Sequence, residues 1–287
     1  MKVKQIAKTL LNFMRAKRIV YVEKVCRPYE LKIQKTDRFD GQVAVVTGAS
    51  GSIGRSVACR LAVEGALVYV CGTKFEKVNT VVEEILKNGH SARPLVFSLL
   101  EETAVAGAVK KVVDECGKID LLVCCAGGSA RSDMCPFVEQ RMEVVDSVIN
   151  INLRGAMLCV RESLKIMCEK EHGNIVLISS VVGERGLANC SEYAAAKAGL
   201  IAFMRSIAME YGKKHIRVNC VSPGIVERGT IDDLKLERIY KTNWLNDYGK
   251  PEDIAGMVAY LNSSEASFIT GQNFIVDGGR SLGLKGA

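Results

Sequence analysis

After Gly41 the chain alternates short apolar runs with segments of helical spacing, and this alternation constrains the fold more than any other feature. The runs are Val43–Val46, Leu67–Val70, Pro94–Phe97, Leu121–Cys125, Asn174–Ile178, Arg217–Val221 and Asn273–Val276, bounded by Gly, Asn, Pro or Ser. Runs this short and continuously apolar read as strands covered on both faces. Between them, Val57, Leu61 and Val63 lead to Gly65, and Val78, Val81, Val82, Ile85 and Leu86 lead to Gly89. Glycine just past the last periodic residue is a helix stop. Strand and helix in alternation give a parallel sheet with helices on both faces, and right-handed crossovers make it doubly wound. The expectation is one α/β domain on a parallel sheet of about seven strands.

Composition narrows the class. An apolar fraction of 48% excludes a disordered chain, and no long uncharged apolar run suggests a spanning helix. Most of the eleven cysteines sit inside apolar runs, where a thiol acts as a small hydrophobe. No CxxC occurs, and His90, His172 and His215 have no ligand spacing with any cysteine, so no metal site is expected. The compartment implied is reducing and cytoplasmic. Residues 1–40 carry eleven Lys/Arg against Glu23, Glu30, Asp37 and Asp40, which is the whole net charge of +7. That asymmetry divides the chain into a basic arm, 1–40, and a neutral domain, 41–287.

The first strand runs into Thr47-Gly48-Ala49-Ser50-Gly51-Ser52-Ile53-Gly54, and a helix follows. A chain that turns tightly, brings bare N–H groups against a pyrophosphate and starts a helix aimed at the anion needs glycine there. The strand–turn–helix context makes this a dinucleotide site of the Rossmann type. An acidic residue at the end of the second strand would hold the adenosine ribose 2′-hydroxyl. The sequence reads Cys71-Gly72-Thr73-Lys74 instead, with Arg55 just past the glycines, which favours NADP(H) over NAD(H).

Further on, Ser179-Ser180 end a strand, and Tyr193 and Lys197 stand four apart. At that spacing the two heads share a helix face and can converge on one point. Their helix begins beyond the carboxyl end of a central strand, the edge where open α/β sheets bind ligands.

From about Gly41 to Gly283 the chain resembles the classical branch of the short-chain dehydrogenase/reductase family, and is similar to its 3-oxoacyl-carrier-protein reductases. The resemblance rests on the glycine turn, Asp120, Ala126-Gly127, Asn152 in Ile151-Asn152-Leu153-Arg154-Gly155, Ser180, Tyr193, Lys197, Ser222-Pro223-Gly224 and Val276-Asp277-Gly278-Gly279. It implies hydride transfer between a nicotinamide cofactor and a carbonyl or secondary alcohol. Tyr193 would be the general acid/base. A free phenol titrates near 10, and the Lys197 ammonium would lower that value. Lys197 would also bond the nicotinamide ribose, Ser180 would stabilise charge on the substrate oxygen, and Asn152 would hold a water linking Lys197 to solvent. The cofactor would contact Gly48, Ser50, Ser52, Ile53, Gly54, Thr73, Lys74, Ser98, Ala126, Gly127, Tyr193, Lys197, Pro223, Gly224 and Val226. A homodimer or homotetramer built on the helices around Asn152 and Tyr193 is also implied.

Four departures from the family pattern stand out. The second glycine is Gly51, with Ser52 where glycine is usual. Cys124-Cys125 replace two asparagines, so some loss of rigidity or a compensating bond is expected. Ser98 replaces an aspartate near the adenine, and Arg228 and Thr230 stand where a threonine usually meets the carboxamide. The spacing of Gly48, Gly51 and Gly54 is that of extended nucleotide-sugar epimerases and dehydratases, a second reading that the short stretch after Gly224 opposes. A third reading, a non-enzymatic redox sensor, has no need of Ser180, Tyr193, Lys197 and Asn152.

Residues 225–248 are expected to cover the substrate, and Arg131, Arg185 and Arg228 lie on loops around that pocket. In the arm, Val3, Ile6, Ala7, Leu10, Phe13 and Met14 recur at helical spacing among basic residues, an amphipathic basic helix. Docking on the domain or a second subunit is the first reading; peripheral contact with an anionic membrane or a targeting role comes second. Its aromatics are not interleaved with a basic tract as in a nucleic-acid platform, so no nucleic-acid partner is expected.

Overall fold

The computed structural model describes residues 37–128, 133–226 and 242–282. The amphipathic arm, Arg131 and residues 227–241, with Arg228 and Thr230, lie outside the described residues. Seven strands form one parallel sheet: β1 Val43–Thr47, β2 Leu67–Gly72, β3 Ala92–Val96, β4 Leu121–Cys124, β5 Gly173–Ile178, β6 Ile216–Pro223 and β7 Asn273–Val276. Their order is β3-β2-β1-β4-β5-β6-β7. The order reverses at β1, which pairs with β2 on one side and β4 on the other, Val46 lying opposite both Val70 and Val123. A crevice opens at the carboxyl ends of strands at such a switch point.

The helices are α1 Ser52–Val63, α2 Phe75–Lys87, α3 Glu102–Cys116, α4 Met142–Ile149, α5 Gly155–Lys170, α6 Val181–Arg185, α7 Ser191–Tyr211 and α8 Pro251–Asn262. Strand residues alternate between two cores. Val43 and Val45 face one, with Val105, Val112, Leu164 and Met204 of α3, α5 and α7. Ala44 and Val46 face the other, with Val57, Leu61, Val82 and Val258 of α1, α2 and α8. The expected helix stops hold: Gly65 and Gly89 have φ of +100° and +82°, which a side chain rarely tolerates. Asp120 joins β1 to β4, its Oδ2 accepting the Val43 N–H at 2.8 Å.

The boundary drawn at Gly41 from charge does not match the packing. Phe39 is fully buried in the second core, its N–H donating to the Glu64 carbonyl at 2.8 Å. Arg38 donates through Nε and Nη2 to the Glu64 carboxylate at 2.6 and 2.9 Å. The folded domain therefore reaches back past Gly41, because a basic residue beside a buried carboxylate counts as packing, not as arm.

Candidate active site

The turn from β1 to α1 is built around two glycines. Gly48 has φ +63°, and a Cβ there would meet the Ala126 Cα and N at 2.6 and 2.7 Å. A Cβ on Gly54 would strike the Gly48 carbonyl oxygen. Gly51 is different: it is extended at φ −86° and a Cβ would meet only the Gly48 oxygen at 3.4 Å. Ser52 opens α1 as an ordinary helical residue, so a side chain fits where the family pattern has glycine. Gly51 and Ser52 thus have exchanged residues at positions that tolerate either, and the glycine spacing does not indicate the extended branch.

No side chain caps α1 and no acid lies in its first turn. Its first N–H groups have no helical partner, and the helix end is positive. They open on a cleft of about 580 Å³ lined by Gly48, Ser50, Ser52, Ile53, Gly54, Thr73, Ser98, Ala126 and Gly127. These residues fit a dinucleotide: the backbone is bare where a pyrophosphate would lie. Phe97, Leu99, Leu100 and Ile151 also line the cleft. Sequence reasoning missed them, although three directly follow β3 and so sit at the same sheet edge. Lys74 is the residue before α2, next to the lining residue Thr73. Arg55 does not join it. Its guanidinium pairs with both oxygens of Glu84 at 2.6 and 2.7 Å and faces a separate cavity with Glu252.

At Cys124-Cys125 the bonds to β1 run through Thr47. The Thr47 carbonyl accepts the Cys125 N–H at 3.2 Å, and the Thr47 Oγ1 accepts the Ala126 N–H at 3.3 Å. Burial pushes the Cys124 thiol up to about 12, opposed by a bond with the Thr47 side chain. It is a neutral packing group at ordinary pH. Ser98 Oγ accepts the Leu100 N–H at 3.2 Å, which fixes the loop after β3.

Asn152 lies in a π-turn, Asn150–Arg154, that joins α4 to α5. It is fully buried. Its Nδ2 donates to the Val148 and Gly128 carbonyls at 2.9 and 3.0 Å, and its Oδ1 accepts the Gly128 N–H at 3.0 Å. The side chain therefore grips the Gly127-Gly128 backbone. Gly127 has φ +141°; a Cβ there would strike Asn152 Oδ1 and come 3.3 Å from Lys197 Nζ. Only glycine leaves room between these two side chains.

Lys197 is 4% exposed, and its Nζ donates to the Ile178 carbonyl at 2.8 Å. The Ser179 hydroxyl donates to the Lys197 carbonyl at 2.8 Å, locking α7 onto the end of β5. The Lys197 Nζ stands 5.6 Å from the Tyr193 ring centroid, so both side chains share one side of α7. Ser180 caps α6, its Oγ accepting the Val182 N–H at 3.2 Å. Ser180 and Tyr193 line a second cavity of about 470 Å³ with Gly224 and Val226. Pro223 ends β6, and a Cβ on Gly224 would meet the Asp277 Cβ at 2.7 Å, so the two sheet-end loops touch there. Lys197, Asn152 and Gly127 thus stand together, with Gly127 lining the cleft and Tyr193 the cavity.

Comparison with known proteins agrees with this geometry. A family model described as enoyl-(acyl carrier protein) reductase matches residues 48–281. The chain is 35% identical over 244 residues to a (2S)-[(R)-hydroxy(phenyl)methyl]succinyl-CoA dehydrogenase subunit of Thauera aromatica, covering 84% of this chain and 97% of that one. It is 35% identical over 240 residues to a 3-oxoacyl-[acyl-carrier-protein] reductase of Synechocystis, covering 83% and 96%. A solved short-chain type dehydrogenase/reductase of Mycobacterium ulcerans superposes with TM-score 0.81 at 28% identity, covering 85% and 91%. The chain is a short-chain dehydrogenase/reductase. As such it is an NAD(P)-dependent oxidoreductase that moves a hydride between a nicotinamide cofactor and a carbonyl or secondary alcohol. Among the described residues of this reductase no helix is long and apolar enough to cross a membrane.

Proposed function

We propose that the reductase uses NADP(H) to interconvert a ketone and a secondary alcohol, with Tyr193 as general acid/base. The observation that carries this is the Lys197 ammonium, held at the end of β5 and 5.6 Å from the Tyr193 ring. A buried cation beside a phenol favours the phenolate, and a proton donor poised nearer the working pH transfers its proton efficiently in both directions. Ser180 holds the substrate oxygen and offsets its developing charge. Asn152 fixes the Gly127-Gly128 turn that separates cofactor from substrate, and holds the water that links Lys197 to solvent. When bound, the nicotinamide supplies the hydride. Gly48, Ser50, Ser52, Ile53 and Gly54 hold the pyrophosphate region; Thr73, Lys74 and Ser98 the adenosine end; Ala126, Gly127, Pro223, Gly224 and Val226 the nicotinamide end.

The preference for NADP(H) is supported by the loop after β2, where Thr73 and Lys74 stand in place of a carboxylate. Because Arg55 is neutralised by Glu84, Lys74 is the cation that would meet a 2′-phosphate. The Thauera and Synechocystis relatives are named for a succinyl-CoA and a 3-oxoacyl-[acyl-carrier-protein] substrate, which makes a 3-oxoacyl thioester the first substrate to try. Exposed Met142 on α4 and Met209 on α7 support a homodimer or homotetramer through those helices. Location in the cytoplasm and a separate amino-terminal arm complete the reading. The test is NADPH and NADH consumption across a ketone panel, beside Tyr193→Phe. Loss of a general acid costs about 10²–10⁴ in rate. Equal turnover by Tyr193→Phe would reject the mechanism, and faster turnover with NADH would reject the cofactor preference.

A further inference from the structure

The cavity beside Ser180 and Tyr193 holds two arginines that form no ion pair among the described residues. Arg185 ends α6 and Arg280 follows β7, and both line the cavity that contains Ser180 and Tyr193. Other guanidiniums are held in two ways: Arg38, Arg55, Arg93 and Arg161 pair with Glu64, Glu84, Glu115 and Glu102, while Arg154 and Arg217 donate to backbone carbonyls. Arg185 and Arg280 form no such pair among the described residues. The carboxylates nearest in sequence are already committed. The Glu184 Oε1 accepts the Asn273 Nδ2–H at 2.6 Å. The Asp277 oxygens accept the Gly279 and Ser281 N–H groups at 2.8 and 2.6 Å.

Those Asp277 bonds also define where Arg280 sits. They fold residues 277–281 into a tight turn at the carboxyl end of β7, and the Trp244 N–H donates to the Gly278 carbonyl at 2.9 Å. Arg280 therefore stands on a turn tied to the sheet. The rest of the wall joins apolar Met134, Val181, Leu187 and Ile225 to the hydroxyls of Ser180 and Ser281. A pocket that combines apolar walls with a few fixed polar groups orients a small ligand by those groups. Guanidinium groups bind carboxylate and phosphate through paired, charge-assisted hydrogen bonds.

We infer that Arg185 and Arg280 form an anion subsite, and that the substrate is a ketone or alcohol bearing a carboxylate or phosphate joined to its reacting carbon through an apolar stretch. This rests on the reading of Ser180 and Tyr193 as the reacting end of the cavity. It assigns the opposite chemistry, substrate charge recognition, to two residues on separate elements.

The experiment reads binding without turnover, so it stands apart from the test of Tyr193. Trp244 is the single tryptophan of the sequence and packs against Gly279, a Cβ on which would meet its Cδ1 at 3.1 Å. Its fluorescence therefore reports on the Arg280 turn. The full chain is titrated with hexanoate, hexyl phosphate and hexan-1-ol at constant ionic strength. At least one anion should saturate at about tenfold lower concentration than the alcohol. Hexanoate alone points to a carboxylate, hexyl phosphate alone to a phosphate. Arg185→Gln with Arg280→Gln should abolish the difference, and Arg280→Lys, which keeps the charge without the fork, should restore part of it. Equal titration by all three ligands, no saturable change with any of them, or an unchanged anion preference in the double variant would overturn the inference.

Discussion

Replacing Gly48 and Gly51 separately by alanine tests how the phosphate turn is built. Gly48 has φ +63°, a region that costs an alanine about 1–2 kcal/mol. Its new Cβ would lie 2.6 and 2.7 Å from the backbone of Ala126, which cannot swing aside like a side chain. Overpacking of that kind costs about 1–3 kcal/mol. Gly48→Ala should therefore lose about 2–5 kcal/mol, and a domain this size loses roughly 2–4 °C of Tm per kcal/mol. The β1–α1 turn must also part from Ala126, so the cofactor cleft is distorted and NADPH affinity falls with stability. At Gly51 the backbone is extended, and the nearest atom to a new Cβ is 3.4 Å away. There the entropy an alanine removes from the unfolded chain, about 0.4–1 kcal/mol, offsets the small loss of a favourable cap residue. Gly51→Ala should stay within about 1 kcal/mol of the parent. Urea denaturation gives the stabilities, and quenching or enhancement of bound NADPH fluorescence gives the affinities. Equal damage from the two substitutions would refute the reasoning, because both glycines would then be sterically required.

Asn152→Ala should cost about 1.5–4.5 kcal/mol, since it removes a buried bond to the Val148 carbonyl and two part-buried bonds to Gly128, at about 0.5–1.5 kcal/mol each; a Tm within error of the parent would contradict the observed bonds. Asp120→Ala should destabilise by about 1–3 kcal/mol, because the Val43 N–H is left without its buried acceptor; thermal denaturation decides this. Stability should also fall at alkaline pH. The Cys124 thiol is raised from an ordinary 9.0 to about 12 in the fold, so the unfolded chain loses its proton first, and the thiol's contribution is intact below 9.0 and lost as pH rises towards 12. Urea midpoints at successive pH values should decline over that window less steeply in Cys124→Ala, and identical slopes would remove Cys124 as a cause.

Much of this protein was legible before any coordinates. The seven strands lie where the apolar runs placed them, to within a few residues; β1, β4 and β5 are buried throughout, as a strand covered on both faces must be, while the edge strands β3 and β7 are partly exposed. Helix ends at Gly65 and Gly89 followed from the left-handed backbone that only glycine adopts easily. Tyr193 and Lys197 had to share a side of one helix, since their spacing alone sets that. What distance along the chain cannot show is which side chains meet across it. The pairing of Arg55 with Glu84, which removes it from the cofactor, joins two different helices. The place of Arg38 and Phe39 in the domain depended on Glu64, and composition counted them as arm.

The sequence by itself determined the alternation of strand and helix, the bare turn at a helix start and the spacing of phenol and ammonium, all of them local properties of backbone and periodicity. Only the tertiary structure decided that Asn152 grips Gly128, that Gly51 has room to spare while Gly48 has none, and that Arg280 from the last turn stands with Arg185 around one cavity. Those contacts join segments that only the sheet brings side by side, and a bond between remote residues leaves no pattern along a single chain.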